Sequence, residues 1–296
     1  MKSDIAKSER LGMYGRGIER IKLKKAAGIM QKNWKGNMDT VEIGGSDVYP
    51  ALEALIDGNI DMVLADMKML VEMEKSGQQL EDGIVISGVL KRRDPRYVMI
   101  RRKGTKDIVE NAVVATDSDE NAAVISGIYD NVEYSVENNI KDCMNRLDNE
   151  ECDAVFAFYD DVRIARLYNR LKYKYTLMDF SDCVPPHGQG IYCILTNGKR
   201  NVIKHTLDVS HQTTAVSFDI EEDIIRRLLM NEYVKSCNAY VKISGDKIET
   251  YVDVNGYRGN IKVQEKDELK NKNLVIRKVV DRISNTQPVR SYYGRG

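Results

Sequence analysis

The chain reads as an α/β protein followed by a smaller α+β region, and three observations carry that reading. Helical stretches alternate with short apolar runs over the first two thirds, which predicts βαβ units and parallel or mixed sheets. The last third changes character. One amphipathic helix precedes three alternating runs separated by turn residues, which predicts a helix packed on an antiparallel meander. Neither part contains an internal repeat or a low-complexity tract.

In the α/β part the predicted strands are 60–64, 84–90, 97–101, 112–115, 154–158, 191–195 and 201–206. The predicted helices are 18–32, 49–56, 121–127, 140–147 and 160–171. Ligands of such sheets gather at the carboxyl ends of the strands. Asp66–Met69, Thr116–Glu120 and Phe158–Asp161 all follow strands, so candidate site residues collect there. In the last third Ile220, Ile224, Leu228 and Leu229 recur at helical spacing. Glu221, Glu222 and Asp223 in that stretch place carboxylates where a helix dipole favours them. Turns at Ser244-Gly245-Asp246 and Asn255-Gly256 separate runs 239–243, 247–254 and 257–263. The polar, Gly-rich stretch from 284 reads as a disordered tail.

Composition excludes several classes. Lys plus Arg and Asp plus Glu stand at 45 each, so there is no surplus cation to displace counterions from nucleic acid. The N-terminus is charged and lacks an apolar h-region, which argues against a secretory signal. No apolar run is long enough to span a membrane. Five Cys (143, 152, 183, 193 and 237) without paired metal spacing fit reduced thiols in a cytoplasmic protein. The three His (187, 205 and 211) form no ligand cluster, so no metal is expected.

The run from Ala51 to Val71 is the most informative segment. An apolar helix ends at Asp57-Gly58, Ile60-Asp61 opens a buried strand, and a loop then carries Asp66, Lys68 and Met69. This resembles the signature of the porphobilinogen deaminase (hydroxymethylbilane synthase) family, in which the strand runs into His-Ser-x-Lys-Asp-x-Pro. Other segments agree in order. Arg92-Arg93-Asp94-Pro95-Arg96 is similar to the family's Arg-x-Asp-Pro-Arg turn, and 139–155 to its Gly-Asn helix and following strand. Pro185-Pro186-His187-Gly188-Gln189-Gly190 is similar to its hinge, and Arg227 to Cys237 to the helix and loop that present the cofactor thiol.

The resemblance implies two doubly wound, periplasmic-binding-protein-like lobes facing across a cleft, plus a small domain with a three-stranded antiparallel sheet. The expected boundaries are 10–98 with 187–208, then 99–186, then 212–283, with 284–296 as tail. The implied activity is that of a transferase of tetrapyrrole and heme biosynthesis, which condenses porphobilinogen into hydroxymethylbilane with release of ammonia. The implied cofactor is dipyrromethane, held on Cys237 by a thioether. A monomer is expected, with a small pyrrole or other carboxylated ligand and neither nucleic acid nor membrane as partner.

The chemistry needs an acid/base carboxylate, and the family's Asp has become Met69, which cannot titrate. General acid/base catalysis is worth roughly 10²–10⁴ in rate. Asp66 is the possible substitute, entering from a different backbone position. The chemistry also needs guanidinium groups for the acetates and propionates of each ring. The family's Thr-Ser-Ser-x-Arg-Arg is here Thr116-Asp117-Ser118-Asp119-Glu120-Asn121, and two further Arg positions are Glu137 and Cys143. Arg16, Arg92, Lys141 and Arg163 are the candidates to compensate.

Several residues read two ways. Lys68 is a substrate-carboxylate ligand or a solvated lysine, and Cys237 is the attachment thiol or a small buried core residue. Gly188-Gln189-Gly190 reads as hinge geometry, His187 as structural, and Tyr168, Tyr173 and Tyr175 as packing residues. Lys22–Lys25 reads as a solvated helix face. The expectation is a deaminase-like protein with weak or lost catalysis. The alternatives are an active divergent enzyme and a non-catalytic two-lobed binder of a small ligand.

Overall fold

The computed structural model describes residues 8–105, 111–129, 131–256 and 259–286. They divide into two compact units. One comprises the chain up to Met178 together with Gly188–Ala215, and the other Asp179–His187 together with the chain from Val216 onward.

The first unit opens with β1 (Glu9–Met13), α1 (Gly17–Asn33), β2 (Met38–Glu42), α2 (Tyr49–Ile56), β3 (Met62–Asp66), α3 (Met67–Lys75) and β4 (Val85–Val89). It crosses to β5 (Tyr97–Arg102), β6 (Val113–Thr116), α4 (Asp119–Ser126), β7 (Glu133–Val136), α5 (Ile140–Asp148), β8 (Ala154–Phe158), α6 (Tyr159–Ile164) and β9 (Tyr173–Leu177). It then returns through β10 (Tyr192–Thr196) and α7 (Arg200–Val209). The helix α8 (Gln212–Leu229) leads to β11 (Val234–Ser244), β12 (Lys247–Gly256), β13 (Gly259–Glu268) and α9 (Lys272–Thr286).

The two lobes of the first unit repeat one plan. Sheet order is β2-β1-β3-β10-β4 in one and β7-β6-β8-β5-β9 in the other. In each, three strands are parallel, and a crossing strand (β10 or β5) enters antiparallel beside the third. The central strands β3 and β8 are apolar and buried along almost their whole length, as strands covered on both faces require. The carboxyl ends of β3, β6 and β8 each deliver a helix start, with β8 the counterpart of β3 and β6 that of β1.

Three sequence expectations change. Residues 201–206 are helical, inside α7. The β-branched Val202, Ile203 and Thr206 suggested a strand, but Val202 and Thr206 are buried at i, i+4 spacing, one helix face. Thr206 O lies where a Cβ on Gly88 of β4 would meet it at 3.0 Å, so glycine lets α7 pack onto that strand. The expected loop after β3 is the start of α3, capped by Asp66, whose side chain accepts from Lys68 N at 2.9 Å. The helix expected over 160–171 ends at Ile164, where Arg166 turns into positive φ.

In the second unit the meander is present, with β12 central. Ile220, Ile224, Ile225 and Leu228 of α8 and Val275, Ile276, Val279 and Ile283 of α9 bury one face of the sheet. Glu221, buried, accepts from Val241 N at 2.8 Å and so satisfies an edge-strand donor. Gly245 takes φ 62 at the first hairpin turn. Residue 257, expected to open the last strand, lies outside the described residues, and that strand begins at Gly259. The helix α9 runs to Thr286, into the expected tail, and 287–296 lie outside the described residues.

Candidate functional site

The turn after β3 is built on glycine. Gly188 has φ 80, and a Cβ there would stand 2.8 Å from Lys68 N. Gly190 has φ 76, and its added Cβ would stand 3.0 Å from Arg93 O. Only glycine combines that backbone with that approach. The Gly-Gln-Gly segment then bonds both sides of the turn. Met67 N donates to Ile191 O at 2.9 Å, Arg93 N to Gly190 O at 2.8 Å, and Arg92 Nε to Gln189 O at 3.0 Å.

Lys68 projects from this turn to the other lobe. Its ammonium pairs with Glu120 of α4 and, at 3.3 Å, with Glu72 one turn along its own helix. It also lies 5.3 Å from the centroid of the Phe158 ring, at the end of β8. Burial pulls the Lys68 pKa down, but Glu120 and Glu72 outweigh it and the net shift is upward. Met69 is half-buried on the same helix.

Asp66 lies deeper. Burial first, then the charge of Glu19, pushes its carboxyl up to about 7, against the opposing pull of Lys22 and Lys68. Lys22 of α1 stands 2.8 Å from Asp161 and 3.7 Å from Glu19. Its side chain is only 14% exposed, so it is not part of a solvated face, unlike the exposed Lys24 and Lys25. Arg93 pairs with Asp160 at 2.8 Å. Burial raises the carboxyl pKa values of Glu19, Asp117 and Asp160 as well. Asn121, buried, donates to Asp117 Oδ1 at 2.9 Å, and Ser118 caps α4 through Asn121 N. The corner thus holds more carboxylates than cations, and each cation has an acid of this chain against it.

The other expected site residues are dispersed. Arg16 is exposed at the start of α1, and Lys141 is exposed in the first turn of α5. Arg163 is exposed on α6, 5.6 Å from the Tyr159 ring centroid. Arg92 N donates to Thr214 Oγ1 at 3.0 Å, so both its backbone and its side chain tie segments together. Glu137 pairs with Arg146 at 2.6 Å, and Cys143 is fully buried in the core of the second lobe. Tyr168 packs on Tyr175 at 4.4 Å between ring centroids.

In the second unit Cys237 pairs with Val254 in the sheet register and is 6% exposed. Its Sγ lies 3.9 Å from Ile225 O, inside the core formed with α8. His187 stacks on Phe218 at 4.4 Å. Among the described residues no group of three His, Cys, Asp or Glu is arranged to hold a metal ion, and no helix is long and apolar enough to cross a membrane.

Sequence reasoning missed Glu19, Lys22 and Arg93. Glu19 and Lys22 carry a faint signal, an i, i+3 pair on one helix. Arg93 carries none beyond its place inside the Arg-x-Asp-Pro-Arg motif.

A family model described as porphobilinogen deaminase, dipyromethane cofactor binding domain, matches residues 30–205. That stretch covers the corner described above except Glu19 and Lys22 of α1, and it ends before Cys237. The porphobilinogen deaminase of Rickettsia canadensis is 26% identical over 184 residues, 60% of this chain and 58% of that protein. That of Acetivibrio thermocellus is 25% identical over 221 residues, 73% of this chain and 72% of that protein. The chain therefore spans little more than half the length of the first of these relatives. The periplasmic aliphatic sulphonate binding protein SsuA of Escherichia coli superimposes with a TM-score of 0.43 at 15% identity, over 76% of this chain and 75% of that one.

Proposed function

Because the chain belongs to the porphobilinogen deaminase family on the match over residues 30–205, we propose that it is a hydroxymethylbilane synthase-like protein that has lost most or all turnover. One observation carries the reading. Lys68, the cation retained from the family signature, is held by Glu120, which stands where the family has arginine. A pyrrole acid must displace an internal carboxylate to reach that ammonium. Met69 supplies no proton beside it. The buried Cys237 thiol supports the same reading, since a bulky dipyrromethane does not fit at a side chain 6% exposed in a packed core.

The test is incubation of the purified chain with porphobilinogen, following ammonia release and linear tetrapyrrole, alongside its intact mass. The expected result is no turnover and a bare polypeptide mass. Met69→Asp alone is expected to leave both unchanged, because Glu120 and Asn121 still replace the guanidiniums. Turnover that disappears in Cys237→Ser, with a mass adduct lost in the same variant, overturns the proposal.

Asp66 favours a second reading, an active divergent enzyme. A carboxyl pushed up to about 7 is matched to general acid/base work near neutral pH. On that reading activity follows a single ionisation near 7 and is lost in Asp66→Asn.

A further inference from the structure

The three half-buried cations of the corner share a polarity. Lys22 on α1 and Lys68 on α3 belong to the first lobe, and Arg93 lies on the segment crossing from β4 to β5, pinned by its backbone to Gly190. Their acids, Asp161, Glu120 and Asp160, all belong to the second lobe, in the first turns of α6 and α4. The Lys22 and Asp161 side chains are 14% and 13% exposed, and those of Arg93 and Asp160 20% and 17%. Pairs so shielded are screened by salt far less than surface pairs.

From this arrangement we propose that the two lobes are latched together by the chain's own carboxylates, so that closure needs no ligand. In a two-lobed binder, a carboxylated ligand bridging the lobes supplies the negative charge that draws them together. Here Glu120, Asp160 and Asp161 supply it. Such a ligand shifts the lobes little on binding, because the state it would select is already populated. Breaking one latch leaves a charge half-buried without its partner, so the pairs reinforce one another. The latch does not depend on the loss of turnover, since it is read with no pyrrole present.

The test is a distance between spin labels at Lys75→Cys in the first lobe and Glu133→Cys in the second, measured by pulsed EPR on the full chain. Both positions are exposed, and the five native thiols are buried, so the labels report where they are placed. Without ligand the parent is expected to give one narrow distance that added porphobilinogen does not change. Reversing two acids, Glu120→Lys with Asp160→Lys, is expected to lengthen it by more than about 2 Å, the scale of a domain rearrangement. Adding Lys68→Glu with Arg93→Glu restores opposite charges and is expected to bring the short distance back. Circular dichroism checks that each variant folds. If the reversed pair does not fold, the neutral pair Glu120→Gln with Asp160→Asn is measured the same way and is expected to lengthen the distance. An unchanged distance in a folded variant, or a swap that fails to restore it, overturns the latch.

Discussion

The turns after β3 and after β6 each start a helix at the carboxyl end of a parallel strand, one in each lobe, yet they carry opposite charge. The first presents Lys68 over a helix capped by Asp66. The second presents Asp117, Asp119 and Glu120 at a helix capped by Ser118. Acids in a first helical turn suit the dipole, so the second turn is locally comfortable. What the difference teaches lies between the turns. A carboxylate at 120 makes the retained lysine an internal partner rather than a ligand for a foreign acid. The substitution therefore changes two residues' roles at once.

The largest expected effect comes from Lys22, whose ammonium faces Asp161 and Glu19 and also feels Asp66. Lys22→Met leaves these carboxylates without it. A cost of roughly 3–5 kcal/mol is expected, as for removing one member of a buried pair. Denaturant titration reads it. A loss under about 1 kcal/mol, the range of exposed pairs, would mean that the lobes are not coupled through the α1–α6 pair.

Next comes Asp66. Its folded pKa, about 7, lies above its ordinary value, because burial favours the neutral form. Its contribution is therefore fully present below about pH 4 and is lost as pH rises through about 7. A tenfold change in an ionisation constant is worth about 1.4 kcal/mol. Asp66→Asn keeps a cap for α3 and cannot ionise. The variant should therefore lose less stability than the parent between about pH 4 and pH 8. Parallel stability curves for the two proteins would show that Asp66 does not carry this ionisation.

Gly188→Ala probes the support of the first turn alone. Positive φ and a Cβ 2.8 Å from Lys68 N together forbid an unshifted backbone. A loss of about 1–3 kcal/mol in thermal or denaturant unfolding is expected for a residue forced into left-handed backbone. An unchanged midpoint would mean that the start of α3 moves freely and that the turn is not rigidly seated.

How much of this was legible in the sequence depends on the kind of signal. The alternation of β3 and β8 with the helices α2 and α5 that precede them is local periodicity, and it is readable. So was the meander, because Gly245 and the alternating runs mark it. Segment 201–206 misled because β-branched residues serve a helix there, packed on Gly88. The edge strands β2 and β7 were missed, since their mixed, half-exposed residues leave no apolar run. At the site, Met69 and Glu120 were visible as departures from a motif. That Glu120 meets Lys68 was not, because the partners are far apart in sequence and on helices of different lobes. Lys22 reads as solvated for the same reason, since its partner Asp161 lies far along the chain.

The smallest stability effect is expected at Glu120, and it is the most informative. The Glu120 side chain is 43% exposed, so its pair with Lys68 is worth no more than about 1 kcal/mol. Glu120→Gln should barely move the unfolding midpoint. It should nonetheless leave the Lys68 ammonium with Glu72 alone, and so more open to an anion. Porphobilinogen carries an acetate and a propionate, and its binding to the variant, measured by calorimetry, should tighten several-fold, since 1 kcal/mol is a factor of about 5. Equal affinity in variant and parent would mean that the Lys68–Glu120 pair does not keep acids out. The opposite charges of the two turns would then be a matter of local helix stability alone.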